Sequence, residues 1–314
     1  MAEMLKKATR DSFGEAVTEL AAEYPEIVVL DADLAAATKT GIFKKAYPDR
    51  FFDCGIAESN MVGIAAGLAT CGKIPFAASF AMFAAGRAFE QVRNSVGYPH
   101  LNVKIAGSHA GISVGEDGAT HQCCEDIALM RTIPGMVVLN PSDHYEMKAA
   151  VRAMVEHNGP CYIRLGRLAV ETINHNDDYK FELGKGITLR EGTDISIIAT
   201  GLMVQEAAKA AEILAAEGIS AEVINIHTIK PIDEELIVAT AKKTGCVVTA
   251  EEHNVIGGLG EAVAAVLSEK CPTPVTRIGV NDEFGHSGPA LDLLKEFGLT
   301  ADHIVEVVKN KLGK

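Results

Sequence analysis

Residues 51–63 of the chain, FFDCGIAESNMVG, decide its fold. An apolar strand that starts with Phe51 and Phe52 enters a short polar corner and then a helix that carries Glu58. The helix continues towards residue 72 and is rich in glycine and alanine, so its backbone can approach a neighbouring element or a ligand closely. Because a carboxylate in such a tight corner requires a partner, we expect Glu58 to be buried rather than solvated.

Short apolar runs alternate with amphipathic stretches on both sides of this corner. In the first half of the chain the runs are IVVLDAD, RFFDCG, IPFAASF, NVKIAGS, MVVLNPSD and CYIRLGR, and in the second half they are DISIIAT, SAEVINI, CVVTAEEH and PVTRIGV. Helices are predicted between them, among them residues 204–217 and 234–243. The alternation predicts an α/β protein with two domains, each a mainly parallel sheet with helices on both faces. Polar, turn-forming residues 172–190 are predicted to connect a first domain, residues 1–171, to a second, residues 191–314.

Length and composition narrow the class of protein. The chain has 314 residues, of which 48% are hydrophobic, and this is enough for two domains of roughly 150 residues each. The net charge of -13 comes with no run of basic and aromatic residues, which argues against a nucleic-acid partner. The seven cysteines are scattered without a CxxC pair, as expected for reduced thiols in a cytoplasm. No apolar run approaches the roughly 18 residues of a membrane span, so we expect a cytoplasmic protein that contacts no membrane.

Polar side chains follow the predicted strands of the first domain, where they would meet at one edge of a parallel sheet and form a ligand site. They are Asp31, Asp33, Glu58, residues 79–83, His109, Asn140, Ser142, Asp143, Arg164 and Arg167.

One strand-to-helix loop, residues 107–121, carries four glycines together with His109, Asp117 and His121. Its length and its glycines are typical of a binding loop. Two histidines and a carboxylate are also compatible with a metal site, but they lack the i, i+4 spacing of a helical metal motif. We therefore favour a ligand that this loop holds by hydrogen bonds, and we assign no metal ligand to the chain.

These stretches together resemble the thiamine diphosphate enzymes of the transketolase family, from residues 8–10 to the C-terminus. GIAESNMVGIAAGLA is similar to the start of the family's pyrimidine-binding helix, SFAMF to its aromatic platform, and GISVGEDGATHQ to its substrate loop. The loop is the most specific signal, because the β subunits of 2-oxo acid dehydrogenases usually lack it. The synthase of 1-deoxyxylulose 5-phosphate has a similar loop, but typically with an alanine at the position of Glu116.

The resemblance implies roles on the cofactor side of the site. Glu58 would meet the N1′ atom of the aminopyrimidine and promote the imino tautomer that activates the cofactor, which makes it the first catalytic candidate. Phe80 and Phe83 would pack on the aminopyrimidine ring, and Asp33 would lie near the cofactor and the subunit interface. The family often has a tyrosine three residues beyond the second phenylalanine, where this chain has Gly86.

The resemblance also implies a substrate side. His109 and His121 are the further catalytic candidates and, with Asp117, would contact the hydroxyl groups and carbonyl oxygen of a sugar. Arg10 and Arg167 would hold its phosphate, since a guanidinium fork matches phosphate oxygens. The serine that usually completes the phosphate site falls near Ala37 or Thr38.

Half of the family's site is missing from the sequence. Family members bind the diphosphate and Mg²⁺ through a GDG motif and a later asparagine on a preceding domain, and this chain has no consecutive GDG. The chain therefore resembles the C-terminal subunit of a split transketolase, and its methionine start just before the pyrimidine domain supports that prediction. An N-terminal subunit would hold Mg²⁺ and the diphosphate, and we expect a symmetric heterotetramer.

The expected activity is transfer of a two-carbon ketol unit from a ketose phosphate to an aldose phosphate, as in the pentose phosphate pathway. Two alternatives stay open: one half of a split 1-deoxyxylulose-5-phosphate synthase, and a non-catalytic partner subunit. The second domain is expected to support assembly, because its glycines 257, 258 and 260 lack the GxGxxG order of a dinucleotide site and fit close packing of a helix on a strand.

Overall fold

A computed structural model of the chain describes residues 6–173 and 179–314. Its strands are β1 Lys6–Ala8, β2 Ile27–Asp31, β3 Phe51–Asp53, β4 Ile74–Phe80, β5 Lys104–Ser108, β6 Val137–Leu139, β7 Cys161–Leu165, β8 Ala169–Glu171, β9 Ile187–Arg190, β10 Ile195–Ala199, β11 Ala221–Asn225, β12 Thr228–Lys230, β13 Val247–Asn254 and β14 Val275–Val280. Its α-helices are α1 Thr9–Leu20, α2 Ala35–Thr38, α3 Gly41–Ala46, α4 Glu58–Thr70, α5 Phe89–Gln91, α6 Asp126–Arg131, α7 His144–Glu156, α8 Met203–Ala216, α9 Glu234–Thr244, α10 Leu259–Lys270, α11 Ala290–Glu296 and α12 Ala301–Leu312. The π-helical segments are Met82–Arg87 and Val92–Gly97, and the 3-10 turns are Pro48–Arg50 and Ile112–Val114.

Two mainly parallel sheets organise these elements. Within the described residues, the first sheet has the order β12-β6-β7-β5-β4-β2-β3, and the second has the order β14-β13-β10-β11-β9. The neighbouring strands run parallel except at β12 and at β9, which are antiparallel to β6 and β11. The two-domain α/β class expected from the apolar runs is therefore confirmed.

The segment assigned to the interdomain connection is only partly irregular. Its last residues, 187–190, form β9 and pair with β11 at the edge of the second sheet. Residues 174–178 lie outside the described residues. At the start of the chain, β1 pairs with β8 in a short antiparallel ladder, which brings residues 6–8 next to residues 169–171.

The first sheet is buried on both faces, as expected for parallel strands covered by helices. Successive side chains of β2 enter different cores: Val28 and Leu30 join a cluster with residues of α4, while Ile27 and Val29 join a cluster with residues of α1 and α7. This period of two follows from the alternation of side chains along a strand. The cluster on the α4 side continues into buried residues of the second sheet, so the two domains share a continuous apolar core.

Only part of the surface of helix α4 packs against the rest of the protein. Met61 and Val62 are completely buried, whereas a side chain added at Gly63 or Gly67 would meet only open space. Ile56, two residues before Glu58, takes no part in burying that carboxylate, because its side chain is 78% exposed. The physical reason is the turn before it: Gly55 adopts a φ of 66°, and the chain directs the next side chain outward.

The second half of the chain also completes the first sheet. Strand β12 pairs with β6, and the ammonium group of Lys230 donates to the carbonyls of Arg131 at 2.8 Å and Ile133 at 2.6 Å. The amide of Gln205 donates to the carbonyl of Ser142 at 2.7 Å across the same boundary. No helix among the described residues is long and apolar enough to cross a lipid bilayer.

His227, between β11 and β12, makes the stability of this boundary depend on pH. Its ring is buried and lies against Phe181, with centroids 4.1 Å apart and the rings tilted by 31°, and burial lowers its pKa to about 4. A histidine whose pKa falls on folding contributes stability above the pKa of the unfolded chain, near 6.5, and this contribution is lost as the pH falls towards 4.

We expect the His227→Gln variant to lose less free energy of unfolding than the wild type when the pH is lowered from 7.5 to 5. The difference should be about 2 kcal/mol, because glutamine takes up no proton. Urea denaturation at the two pH values measures it, and His303, whose side chain is 43% exposed, gives the control variant His303→Gln. An equal loss of stability in the wild type and His227→Gln would contradict the assignment.

Candidate active site

Glu58 begins α4 at the carboxyl edge of the first sheet, and its side chain is only 1% exposed. The carboxylate is held by two protein groups. The hydroxyl of Ser79, in β4, donates to Oε1 at 3.3 Å, and Nη1 of Arg87 donates to Oε2 at 2.8 Å. The burial expected from the sequence is present, and the partner within the chain is a cation.

An aromatic cluster lies beside this ion pair. Phe80 ends β4 and Phe83 lies in the following π-helical segment; their rings are within 12° of parallel, with centroids 6.0 Å apart. The imidazole of His109 stacks on Phe80 at 4.0 Å, and the edge of His121 meets Phe83 at 5.3 Å. The structure therefore brings both phenylalanines and both loop histidines together.

Arg87 is the functional candidate that the sequence analysis missed. Its guanidinium lies 4.4 Å above the ring centroid of Phe83 while it bonds to Glu58, and the side chain is 49% exposed. The signal was an arginine four residues after Phe83, a spacing that places two side chains on one helical face. Gly86, at the position of the family tyrosine, has no room for a side chain unless the end of Met82 moves.

His109 is held in one tautomer at a strained backbone position, with a φ of 56°. Arg10 has donors only, so its Nη1, 2.9 Å from Nε2 of His109, must donate to that nitrogen. Nδ1 then carries the proton and donates to the hydroxyl of Ser108 at 2.9 Å. Burial, followed by the positive charges of Arg10 and Arg167, lowers the pKa of His109 to about 3. The imidazole is therefore neutral at physiological pH.

Arg10 and Arg167 make the carboxyl edge of the first sheet positively charged. Arg10 also donates to the carbonyl of Ala37 at 3.1 Å, and its Nε is buried without a partner among the described residues. Arg167 donates to the carbonyl of Val114 and to the carboxylate of Glu116, the latter at 2.8 Å.

The loop near the expected phosphate serine is organised by a carboxylate. The hydroxyl of Thr38 donates to Oδ2 of the buried Asp31 at 2.7 Å, and the hydroxyl of Thr40 donates to the same atom at 2.8 Å. Thr38 is thus already engaged within its own loop.

Two of the candidate residues stand apart from this cluster. Asp33 is exposed with a φ of 63°, and its backbone N–H donates to Asp53 at 3.1 Å. Asp117 is also exposed, and its carboxylate takes no hydrogen bond or ion pair from the described residues. Within the described ranges, no group of three or more His, Cys, Asp or Glu side chains is arranged to hold a metal ion, so the loop residues His109, Asp117 and His121 do not form one.

The backbone N–H groups at the glycine-rich start of α10 are already bound by a side chain of the same protein. The carboxylate of the buried Glu251 accepts from the N–H groups of Leu259 at 2.6 Å and Gly260 at 2.8 Å. A Cβ at Gly260 would approach the side chains of Thr249 and Arg277. A carboxylate at a helix N-terminus takes the place that a nucleotide phosphate would need, so these glycines serve close packing.

Comparisons with known proteins agree with this geometry. The family model for the transketolase pyrimidine binding domain matches residues 6–172, and the model for the transketolase C-terminal domain matches residues 184–304. The chain is 53% identical over 310 residues to a putative transketolase C-terminal section from Methanocaldococcus jannaschii, with 98% of this chain and 97% of that protein covered. It is 50% identical to a 6-deoxy-6-sulfo-D-fructose transketolase subunit from Clostridium sp. (strain MSTE9), with 94% and 92% covered.

A solved structure is equally similar. A split gene transketolase, described as an inactive β4 tetramer, superimposes with a TM-score of 0.91 at 55% identity, covering 98% of this chain and 99% of that chain. The matches extend over both sheets and include the Glu58 corner, the aromatic pair and the 107–121 loop. The chain therefore belongs to the transketolase family and comprises the pyrimidine-binding and C-terminal domains of that family.

Proposed function

We propose that this chain is the C-terminal subunit of a two-subunit transketolase that uses thiamine diphosphate to transfer a two-carbon ketol unit from a ketose phosphate to an aldose phosphate. The observation that carries the proposal is the buried carboxylate of Glu58 beside a stacked aromatic pair. This combination suits a flat, protonatable ring, since the carboxylate meets a ring nitrogen and the aromatic faces fix the plane of the ring.

The contacts of Arg87 support the fit of a flat, protonated ring between Glu58 and the aromatic pair. Its guanidinium is flat, cationic and an N–H donor, and it contacts the face of Phe83 and the carboxylate of Glu58 at once. A protonated aminopyrimidine has the same three properties. The residues present therefore fit the pyrimidine half of thiamine diphosphate, with Glu58 holding a proton at N1′ and Phe80 and Phe83 orienting the ring. When bound, the cofactor supplies a thiazolium that acts as an electron sink.

The other side of the cluster suits a sugar anion. The neutral His109 and the edge-on His121 lie beside the aromatic pair. Nε2 of His109 is bonded to Arg10, and it would accept from a sugar hydroxyl once that arginine turns to the phosphate. Arg10 and Arg167 add positive charge that a phosphate would neutralise. We keep Asp117 as a ligand of a sugar hydroxyl and Asp33 as a residue near the cofactor, since their exposed side chains are free to meet a ligand or a partner chain.

A separate N-terminal subunit would complete the site by holding the diphosphate and Mg²⁺. The described part of this chain offers no metal cluster, and the sequence has no consecutive GDG. A solved relative consisting of this subunit type is described as inactive. We propose a symmetric heterotetramer with sites between unlike subunits.

We expect Glu58→Gln to lower kcat for ketol transfer roughly 10²–10⁴-fold in the reconstituted enzyme, because an amide cannot exchange the N1′ proton. Coupled spectrophotometric assays of ketol transfer measure the loss, and the melting temperature checks the fold. The control variant is Glu90→Gln, which changes a carboxylate bonded only to Gln91 and Asn94 in its described contacts. Full activity of Glu58→Gln would refute the assignment.

We expect the purified chain to show no ketol transfer alone and to become active when it is mixed with the N-terminal subunit, thiamine diphosphate and Mg²⁺. Parallel assays with pyruvate and glyceraldehyde 3-phosphate discriminate the synthase alternative. Strong activity of this chain alone would contradict the two-subunit proposal, and inactivity of every mixture would favour the non-catalytic alternative.

We expect Arg10→Met to raise the KM for a ketose phosphate about tenfold to a hundredfold, since a hydrogen bond to a charged group contributes about 1.5–3 kcal/mol. The KM for the corresponding unphosphorylated ketose should change far less, because that substrate lacks the anion. Arg152→Met is the matched control, as Arg152 pairs with Glu23 on the surface. Equal effects on both substrates would remove Arg10 from the phosphate site.

A further inference from the structure

The loop that carries His109, Asp117 and His121 rests on the second domain. The carbonyl of Cys124, just beyond the loop, accepts the N–H of Asn254 at 2.8 Å. The amide of Gln122 donates to the carbonyl of Ile112 at 3.2 Å within the loop and to that of His286 at 3.0 Å in the second domain. A Cβ at Gly285 would collide with the side chain of Gln122, so the loop and the second domain are in direct contact.

The centre of this contact is Glu252, near the end of β13. Its side chain is buried, and Oε1 accepts the backbone N–H of Ser113 at 2.6 Å, across 139 residues of chain. Gly111 lies against the same carboxylate with a φ of 83°, and a side chain there would collide with it. The loop backbone is therefore pressed directly onto the carboxylate.

Burying a carboxylate at this position costs free energy unless other groups replace its hydration. Burial raises the pKa of Glu252, and the nearby Arg164 and the Ser113 N–H oppose that rise. Arg164 itself is engaged by Asp126, with Nε 2.9 Å from Oδ2. The hydrogen bond from the Ser113 N–H is a direct contact between Glu252 and the backbone of the first domain.

We infer that Glu252 is a positioning residue: it fixes the backbone of residues 111–113 and thereby sets where His109 and His121 meet the sugar substrate. His109 lies two residues before Gly111, and His121 adjoins Gln122, whose amide donates to the carbonyl of Ile112 within residues 111–113. The second domain then has a direct part in substrate binding. The structural half of this inference stands on the contacts alone, and its kinetic half rests on the proposed function.

The chain offers a matched control in the neighbouring residue. Glu251 is equally buried on the same strand, but its carboxylate accepts from Leu259 and Gly260 within the second domain. Replacing either glutamate removes one buried carboxylate from β13. Only the change at Glu252 removes a contact with the loop.

The first measurement is amide hydrogen exchange of the whole chain, without cofactor or partner. We expect exchange at residues 111–114 to become roughly tenfold to a hundredfold faster in Glu252→Ala, in line with the loss of a hydrogen bond to a charged group. Glu252→Gln should lie between wild type and Glu252→Ala, because its amide oxygen still accepts. Glu251→Ala should leave residues 111–114 unchanged. Equal exchange at these residues in all four proteins would overturn the inference.

The second measurement is steady-state kinetics of the reconstituted enzyme. Glu252→Ala should raise the KM for the ketose phosphate about tenfold while the dissociation constant of thiamine diphosphate stays within about twofold, since the loop does not carry Glu58, Phe80 or Phe83. Glu252→Gln should restore part of the loss, and Glu251→Ala should show none of this selective effect. An active wild type with an unchanged KM in Glu252→Ala would overturn the positioning role, whereas an inactive wild type with altered exchange would count against the proposed function alone.

Discussion

The carboxylate of Glu58 is almost completely removed from water, and the arrangement around it follows from that constraint. A buried carboxylate is unfavourable unless other groups replace its hydration. Here a hydroxyl from β4 and a guanidinium from the following π-helical segment do so. The same guanidinium lies over the ring of Phe83, and the ring of Phe80 stacks on His109. The ion pair and the aromatic cluster are therefore in direct contact. The tight corner between β3 and α4 is what holds the carboxylate inside.

The main strands and helices could be predicted because burial on both faces leaves continuous apolar runs in the sequence. Helix α8, predicted at residues 204–217, is observed as Met203–Ala216. The short strands β1, β8, β9 and β12 could not be predicted in this way. Each has three or four residues, and each exists only because a partner strand, distant in sequence, lies beside it.

The candidate site was predictable to the extent that its residues belong to local motifs. The loop histidines and the aromatic pair lie in such motifs, and the structure brings them together. Arg87 and Glu252 were missed for a physical reason: their importance comes from what they touch, 29 and 139 residues away in the chain. The spacing of Arg87 from Phe83 indicates a shared helical face, but no periodicity or spacing records the contact of Arg87 with Glu58 or that of Glu252 with Ser113. Asp33 and Asp117 lie in equally distinctive motifs, yet their side chains reach outward.

Strand β12 has a further consequence for the molecule. It pairs with β6 and so covers the edge of the first sheet with a strand from the second half of the chain. Without it, Val137–Leu139 would present an apolar strand with unpaired backbone groups, which is a template for aggregation. Partial unfolding of the second domain would expose this aggregation-prone edge strand even if the first domain stayed intact. The pairing of this edge of the first sheet therefore depends on the integrity of the second domain.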